Sequence, residues 1–245
     1  MRKYTLALDS ALKADQRTEH LDGTVHFAIR ERSSVQMMLK RLIDIGSSLT
    51  VLLLGFPFLL AIALLIKLTS RGPVFFRQRR IGEEGRPFSL FKFRTMKADA
   101  DDCIHREFAQ NFIHGKMSQT TLDGKSNNLY KITNDPRVTA VGGFLRRTSL
   151  DELPQFINIL RGEMTIVGPR PPLEYEYEHY DEWHKLRLKV RPGLTGLWQV
   201  SGRSTVPFHE MVKLDLYYIE NWSLMMDLKI MARTIPVMLA GTGGY

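Results

Sequence analysis

The chain has 245 residues, 44% of them hydrophobic, and a formal net charge of +8. That length allows one domain, or a domain with an anchor, and the positive balance favours anionic partners such as nucleotides and phospholipid headgroups. No nucleic-acid-binding motif or basic–aromatic ribbon is present, the single Cys103 excludes an internal disulfide, and the seven histidines are scattered without metal-ligand spacing.

Residues 1–37 are polar and mixed in charge, with no uninterrupted apolar run of a secretory signal. They read as a weakly ordered extension or a short amphipathic helix without assigned function. From Ile45 to Ile66 no charged residue occurs, a run long enough to cross a bilayer as a helix. Pro57 interrupts it, after Gly55 and Phe56. Lys40 and Arg41 precede the run, and Lys67, Arg71, Arg77, Arg79 and Arg80 follow it. Basic residues at both ends favour the cytoplasmic side for both. A helix broken at Pro57 that enters and leaves by one face meets that condition, and a proline-kinked straight span is the alternative. Asp44 stands one turn after Lys40 and Arg41, where an ion pair at headgroup level is expected.

Gly72 and Pro73 turn the chain into a strand at Val74–Phe76, and Gly85-Arg86-Pro87 separates it from a second strand over Phe88–Arg94, giving a hairpin. Lys92 and Arg94 share one face of that strand, where they can meet phosphate or simply solvent. Residues 98–128 read as a helix leading into a long polar loop. Asn134-Asp135-Pro136-Arg137 is a turn.

The stretch Arg146-Arg147-Thr148-Ser149-Leu150-Asp151-Glu152-Leu153-Pro154-Gln155 then combines two arginines, two adjacent acids and a helix start. Ser149 and Glu152 have capping-box spacing, Pro154 fits a first turn, and Leu153, Phe156, Ile157 and Leu160 repeat at helical spacing before Gly162. Asp151 and Glu152 are therefore expected at a helix N-terminus. Such an arrangement suits a phosphate-bearing substrate with a divalent cation; an ordinary acidic first turn is the alternative. Arg146 can fold back on a phosphate, Arg170 is held between Pro169 and Pro171, and Arg203 follows Gly202 at a turn; guanidinium groups bind phosphate in bidentate fashion. Residues 174–189 read as one amphipathic helix, Leu194–Val200 as a short strand or loop, Trp198 as an interfacial anchor or core residue, Val206–Glu220 as a helix carrying Asp215, and Leu224–Leu239 as an interfacial or core helix.

Seven motifs occur in order: Phe91-Lys92-Phe93-Arg94-Thr95-Met96, Asp135-Pro136-Arg137-Val138-Thr139, Thr148 to Gln155, Val167-Gly168-Pro169-Arg170-Pro171, Arg191-Pro192-Gly193-Leu194-Thr195-Gly196, Trp198-Gln199-Val200-Ser201-Gly202-Arg203 and Leu214-Asp215-Leu216-Tyr217-Tyr218. Over roughly Met38 to Leu239 the chain resembles the bacterial sugar transferase family of monotopic phosphoglycosyl transferases. The resemblance implies an α+β, mainly helical fold. It also implies a re-entrant membrane helix-break-helix at 38–70 broken at Pro57 and a cytoplasmic catalytic domain at 71–240 with interfacial amphipathic helices; the glycine-rich tail at 241–245 is expected to be mobile by its composition and position. The resemblance implies transfer of a sugar 1-phosphate from a UDP-sugar to undecaprenyl phosphate at the cytoplasmic face of the bacterial inner membrane, with release of UMP, as a first membrane step towards exopolysaccharide, capsule or O-antigen.

In that frame Asp151 is the expected nucleophile, forming an aspartyl phosphosugar. Glu152 is the expected Mg²⁺ ligand, and Lys92, Arg146, Arg170 and Arg203 are phosphate contacts. Asp215 stands near the metal or the uridine. Membrane lipids are partners, and a homodimer is left open. Two features depart from the family: Phe56 stands where many relatives have serine before the proline, and Gly143 stands where relatives often carry a basic residue. A phosphohydrolase using water as acceptor and an acidic-lipid-binding scaffold are the competing functions, and the sugar is not legible.

Overall fold

The computed structural model describes residues 32–97, 103–115, 137–201 and 206–239. The N-terminal extension up to residue 31, most of the polar loop, Arg203 with its turn, and the tail lie outside the described residues. The described part is mainly helical with two small sheets.

The charge-free run forms two helices, α1 (Ser34–Leu54) and α2 (Phe56–Thr69), bent by 62° where they meet. Neither helix alone is long and apolar enough to cross a membrane, whereas the bent pair passes by length and composition. The bend falls at Gly55 rather than at Pro57. A Cβ on Gly55 would stand 2.3 Å from the Val51 carbonyl oxygen, a contact only glycine avoids. Pro57 lies in the first turn of α2, where its missing N–H leaves no bond unmade.

Both ends of this helical hairpin meet the same body. On α1 the expected pairing of Asp44 with Lys40 or Arg41 does not form. Asp44 is buried and accepts from the Thr165 hydroxyl (2.7 Å) and the Ile166 N–H (3.0 Å). Lys40 reaches Asp227 (2.6 Å) and the Val167 carbonyl (3.0 Å), and Arg41 donates to the carbonyls of Ile159 and Leu160. These charges are taken up by polar groups of the fold, which offer better partners than a neighbour on the same helix.

Strands β1 (Phe75–Ile81) and β2 (Pro87–Phe93) form the expected antiparallel hairpin, in register from Phe75 opposite Phe93 to Ile81 opposite Pro87. A helix α3 (Cys103–Ile113) and then α4 (Ala140–Thr148) follow. Thr139 caps α4 through its hydroxyl, which accepts from the Gly142 N–H at 2.9 Å. Gly142 lies against β2's exit: a Cβ there would come 2.0 Å from the Thr95 carbonyl oxygen. After α5 (Gln155–Arg161), strand β3 (Thr165–Val167) pairs in parallel with β4 (Gly193–Thr195).

The main core gathers around α9 (Phe208–Glu220), where Val212, Leu214 and Ile219 are fully buried against Ile159, Met164, Val167 and Trp198. Trp198, on α8 (Leu197–Ser201), is thus a core residue. The single helix expected over 174–189 is broken into α6 (Glu174–Tyr177), α7 (Glu182–Lys185) and a 3₁₀ turn. Two separate starts cause the break, since Glu176 accepts from the Leu173 N–H and His184 from the Asp181 N–H. The last described helix, α10 (Leu224–Leu239), packs on β3 and α8 and leaves Met225, Leu228 and Ile235 exposed.

Candidate active site

The two acids do not sit in a capping box. Ser149 adopts a left-handed conformation (φ 56°) and closes α4 from its C-terminal side, and its side chain makes no capping bond. A 3₁₀ turn, Leu150–Glu152, follows and runs through Leu153 and Pro154 into α5. The two signals compete for one serine, and the preceding helix takes it as its C-terminal residue. Asp151 and Glu152 still precede α5, but on a tight turn between two helices, with Asp151 7% exposed. Leu150 beside them packs against the cluster of Ile62, Ile66, Phe93 and Leu145, so α2 lies directly under this turn.

Lys92 on β2 reaches across to Glu152, Nζ to Oε1 at 2.7 Å. Asn158 holds the two elements in that register. Its Oδ1 accepts from the Phe91 N–H and its Nδ2 donates to the Ser89 carbonyl, so a helix side chain completes the free edge of β2 as a third strand would. Arg146 donates from Nε to the Thr95 hydroxyl at 2.8 Å and is close enough to act on the Asp151 charge. Arg170 acts in the same way on Glu152. It is placed by facing glycines of two motifs: the Gly193 N–H donates to the Pro169 carbonyl and the Gly168 N–H to the Thr195 carbonyl. A Cβ on Gly193 would fall 2.1 Å from the Gly168 nitrogen.

The structure therefore brings together Asp151, Glu152, Lys92, Arg146 and Arg170. Asp215 is engaged elsewhere. It is fully buried on α9, and its Oδ2 pairs with Arg187, which in turn donates to the Tyr180 hydroxyl. Burial pushes the Asp215 carboxyl up to about 6, with Arg187 opposing. Arg203 lies outside the described residues. Arg94 turns to the end of α2 and donates to the Ser70 carbonyl and hydroxyl.

Arg80, which sequence reasoning treated only as part of a basic flank, is a further member of the charge cluster. It is buried, donates to the Pro171 carbonyl, and lies near Arg170 and Glu152. Burial first, and then Arg170, depress its guanidinium to about 10. The sequence carried no clear signal for it, because the expected strand ended at Phe76 and β1 as observed buries only its end, Arg80 and Ile81 together.

Burial raises the Asp151 carboxyl to about 6, Lys92 and Arg146 pulling it down and Glu152 pushing it up. For Glu152 burial also pushes upward, but Lys92, Arg170 and Arg80 together outweigh it and hold its pKa below the usual value. Two adjacent carboxylates thus have pKa values displaced in opposite directions, the arrangement that assigns neighbouring acids different chemical tasks. Among the described residues no three potential metal ligands cluster. A Mg²⁺ site here would rest on one carboxylate plus substrate phosphates, which magnesium accepts; Glu152, whose Oε1 is held by Lys92, is the carboxylate that would serve.

Two adjacent carboxyl groups with pKa values displaced in opposite directions, ringed by a lysine and arginines, have the chemistry that suits a phosphate-bearing substrate. The chain belongs to the bacterial sugar transferase family, whose model matches residues 35–241. It is 45% identical over 208 residues to the exopolysaccharide production protein ExoY of Rhizobium meliloti (strain 1021), covering 85% of this chain and 88% of that protein. It is 43% identical over 211 residues to the UDP-glucose:undecaprenyl-phosphate glucose-1-phosphate transferase of Escherichia coli (strain K12), 83% of this chain and 40% of that one. It is 38% identical over 233 residues to the galactosyl transferase CpsE of Streptococcus agalactiae serotype III (strain NEM316), 94% of this chain and 49% of that one. The chain thus spans most of ExoY and less than half of the other two.

Proposed function

We propose that the protein is a phosphoglycosyl transferase. It moves a sugar 1-phosphate from a UDP-sugar to undecaprenyl phosphate by way of a covalent intermediate on Asp151. The observation that carries this reading is the pairing of a buried Asp151, raised to about 6 yet ionised at neutral pH, with a Glu152 fixed by Lys92. In the first step an Asp151 carboxylate oxygen attacks the β-phosphorus of the donor. The bond from that phosphorus to the oxygen bridging the α-phosphate breaks, and UMP leaves with the electron pair. In the second step a phosphate oxygen of the polyprenyl phosphate attacks the same phosphorus, and the aspartyl oxygen leaves as carboxylate. Arg146 and Arg170 hold the diphosphate oxygens and balance charge in both transition states. Glu152 is the residue that would hold Mg²⁺, which when bound supplies charge neutralisation on the diphosphate.

The same reading puts the α1–α2 hairpin into the cytoplasmic leaflet of the bacterial inner membrane, with the site on the cytoplasmic face. Support comes from the exposed apolar side chains around the bend, Leu53, Leu54, Phe56 and Phe58 among them, and from the two hairpin ends meeting one body. The name of the E. coli relative, a UDP-glucose:undecaprenyl-phosphate glucose-1-phosphate transferase, agrees with donor and acceptor.

The test is UMP release by detergent-solubilised protein with Mg²⁺ and a panel of UDP-sugars, with and without polyprenyl phosphate, together with intact mass. Acceptor-dependent UMP and a mass gain of one sugar phosphate on the wild type, both lost in Asp151→Asn, are expected. Acceptor-independent UMP would make the protein a hydrolase, and no UMP from any donor would leave a lipid-binding scaffold.

A further inference from the structure

The polar residues at the foot of α1 do not face outward. Lys40 and Asp44 have little solvent exposure, and with Arg41 they bond to three parts of the fold. Asp44 holds the N-terminal end of β3 through Thr165 and Ile166. Lys40 joins the Val167 carbonyl to Asp227 of α10, and Asp227 also accepts from the Trp222 indole at 3.1 Å and the Tyr218 hydroxyl at 2.7 Å. Arg41 places its two terminal nitrogens on the carbonyls of Ile159 (2.6 Å) and Leu160 (2.8 Å). These are the last carbonyls of α5, the helix that begins just after Asp151 and Glu152. A cation at the C-terminal end of a helix is favourable in its own right, and the Ile159 carbonyl that Arg41 meets also accepts from the Gly162 N–H. At the other end of the hairpin, Arg94 ties Ser70 to the exit of β2, two residues after Lys92.

We infer that Lys40, Arg41 and Asp44 are positioning residues that fix the height of the catalytic turn above the membrane surface, so that the phosphate of a membrane-held acceptor meets the intermediate. The inference rests on the function proposed above. A donor that arrives from solution does not depend on that height. An acceptor whose phosphate is held at the headgroup level does, and misplacement of about 1 Å at a reacting centre costs up to about a hundredfold in rate. A side chain that served only as a basic headgroup contact would need charge alone. Arg41 instead uses fork geometry that lysine lacks.

The experiment compares wild type, Lys40→Met and Arg41→Lys, with Arg41→Met as the charge-free reference, each as the full chain. Adduct formation from the UDP-sugar is followed by intact mass. Transfer is followed with undecaprenyl phosphate in phospholipid nanodiscs and with a short-chain polyprenyl phosphate supplied from solution. Both variants are expected to form adduct within about twofold of wild type, to lose about tenfold or more in transfer to the bilayer acceptor, and to recover with the soluble acceptor. Loss of adduct formation in step with transfer would overturn the inference, because the contacts would then serve only the fold of the site. Full activity of Arg41→Lys beside an inactive Arg41→Met would overturn it in favour of charge alone. Should Lys40→Met not fold, Thr165→Val, which removes one bond to Asp44, must show the same split between the two acceptors, and equal loss on both overturns the inference. A wild type that forms no adduct at all would bring down the proposed function, and this inference with it.

Discussion

A carboxylate that attacks phosphorus, the role proposed for Asp151, has to be both ionised and poorly solvated, and the burial of Asp151 meets the second demand at a cost in stability. Its pKa in the fold, about 6, lies above the unfolded value near 4. A raised acid contributes stability that is complete below about pH 4 and is lost as pH rises through about 6. Asp151→Asn carries no charge to bury, so it is expected to be more stable than wild type at pH 7.5, by on the order of 2 kcal/mol, with the gap closing at pH 4. Melting curves of the two proteins at both pH values check this. Turnover is expected to fall as pH drops below about 6, since the protonated carboxyl is not a nucleophile. Lys92 is the strongest opposing influence on Asp151, so Lys92→Met should move that acidic limb to higher pH, read as a shift in the midpoint of the single-turnover pH profile. The pair Asp151 and Glu152 was legible because two acids beside arginines at a helix start are a local pattern. The opposite displacement of their pKa values was not, because it depends on Lys92, Arg170 and Arg80, residues from separate segments brought in by folding.

The elements around the site vary in how openly the sequence announces them. The β1–β2 hairpin was legible from alternation and a Gly-Arg-Pro turn, and the helix of Asp215 from its apolar period. The partner of Asp215, however, could not be read: Arg187 lies in a stretch that looks like one amphipathic helix, and only folding breaks it and buries the guanidinium. Proline is the stronger helix breaker, so the sequence pattern points to Pro57, whereas the close Val51 carbonyl makes Gly55 the residue the bend requires. Least visible was Asn158, a polar residue within a helical pattern. It is fully buried and bonds Ser89, Phe91 and Glu163. Asn158→Leu fills similar space but strands one strand N–H and one carbonyl, which costs about 1–3 kcal/mol for each group left unsatisfied. The variant is expected to unfold at lower denaturant with unchanged slope, and to slow adduct formation because β2 no longer presents Lys92 to Glu152 at a fixed register.

At the scale of the whole molecule, the hairpin is both the foundation of the site and the apolar projection from it. Ile62 and Ile66 of α2 are buried beneath Leu150, while Leu53, Leu54, Phe58 and Leu64 are exposed. A soluble protein rarely leaves so much contiguous apolar surface uncovered, and the exposed portion runs through the bend between two arms anchored to one body. By helix rise, the residues from the bend to the end of α2 reach about 20 Å, which with tilt matches about one leaflet rather than a full bilayer core of about 30 Å. Leu54, 80% exposed at the tip of that projection, is therefore the residue whose charge would be felt most by lipid and least by the fold. With the bend in lipid, as proposed, Leu54→Glu would put a carboxylate at the deepest point, a cost of a few kcal/mol; it is expected to weaken liposome flotation of the purified protein by about a hundredfold, while thermal stability in detergent stays close to wild type. Leu194→Glu would make a poor comparison because it packs against the core; an exposed position on the catalytic body, such as Arg161→Glu, controls for charge without depth and should leave flotation nearly unchanged. Equal flotation of the Leu54 and Arg161 variants would mean that the bend does not enter lipid, and that the exposed leucines are covered by something other than a membrane.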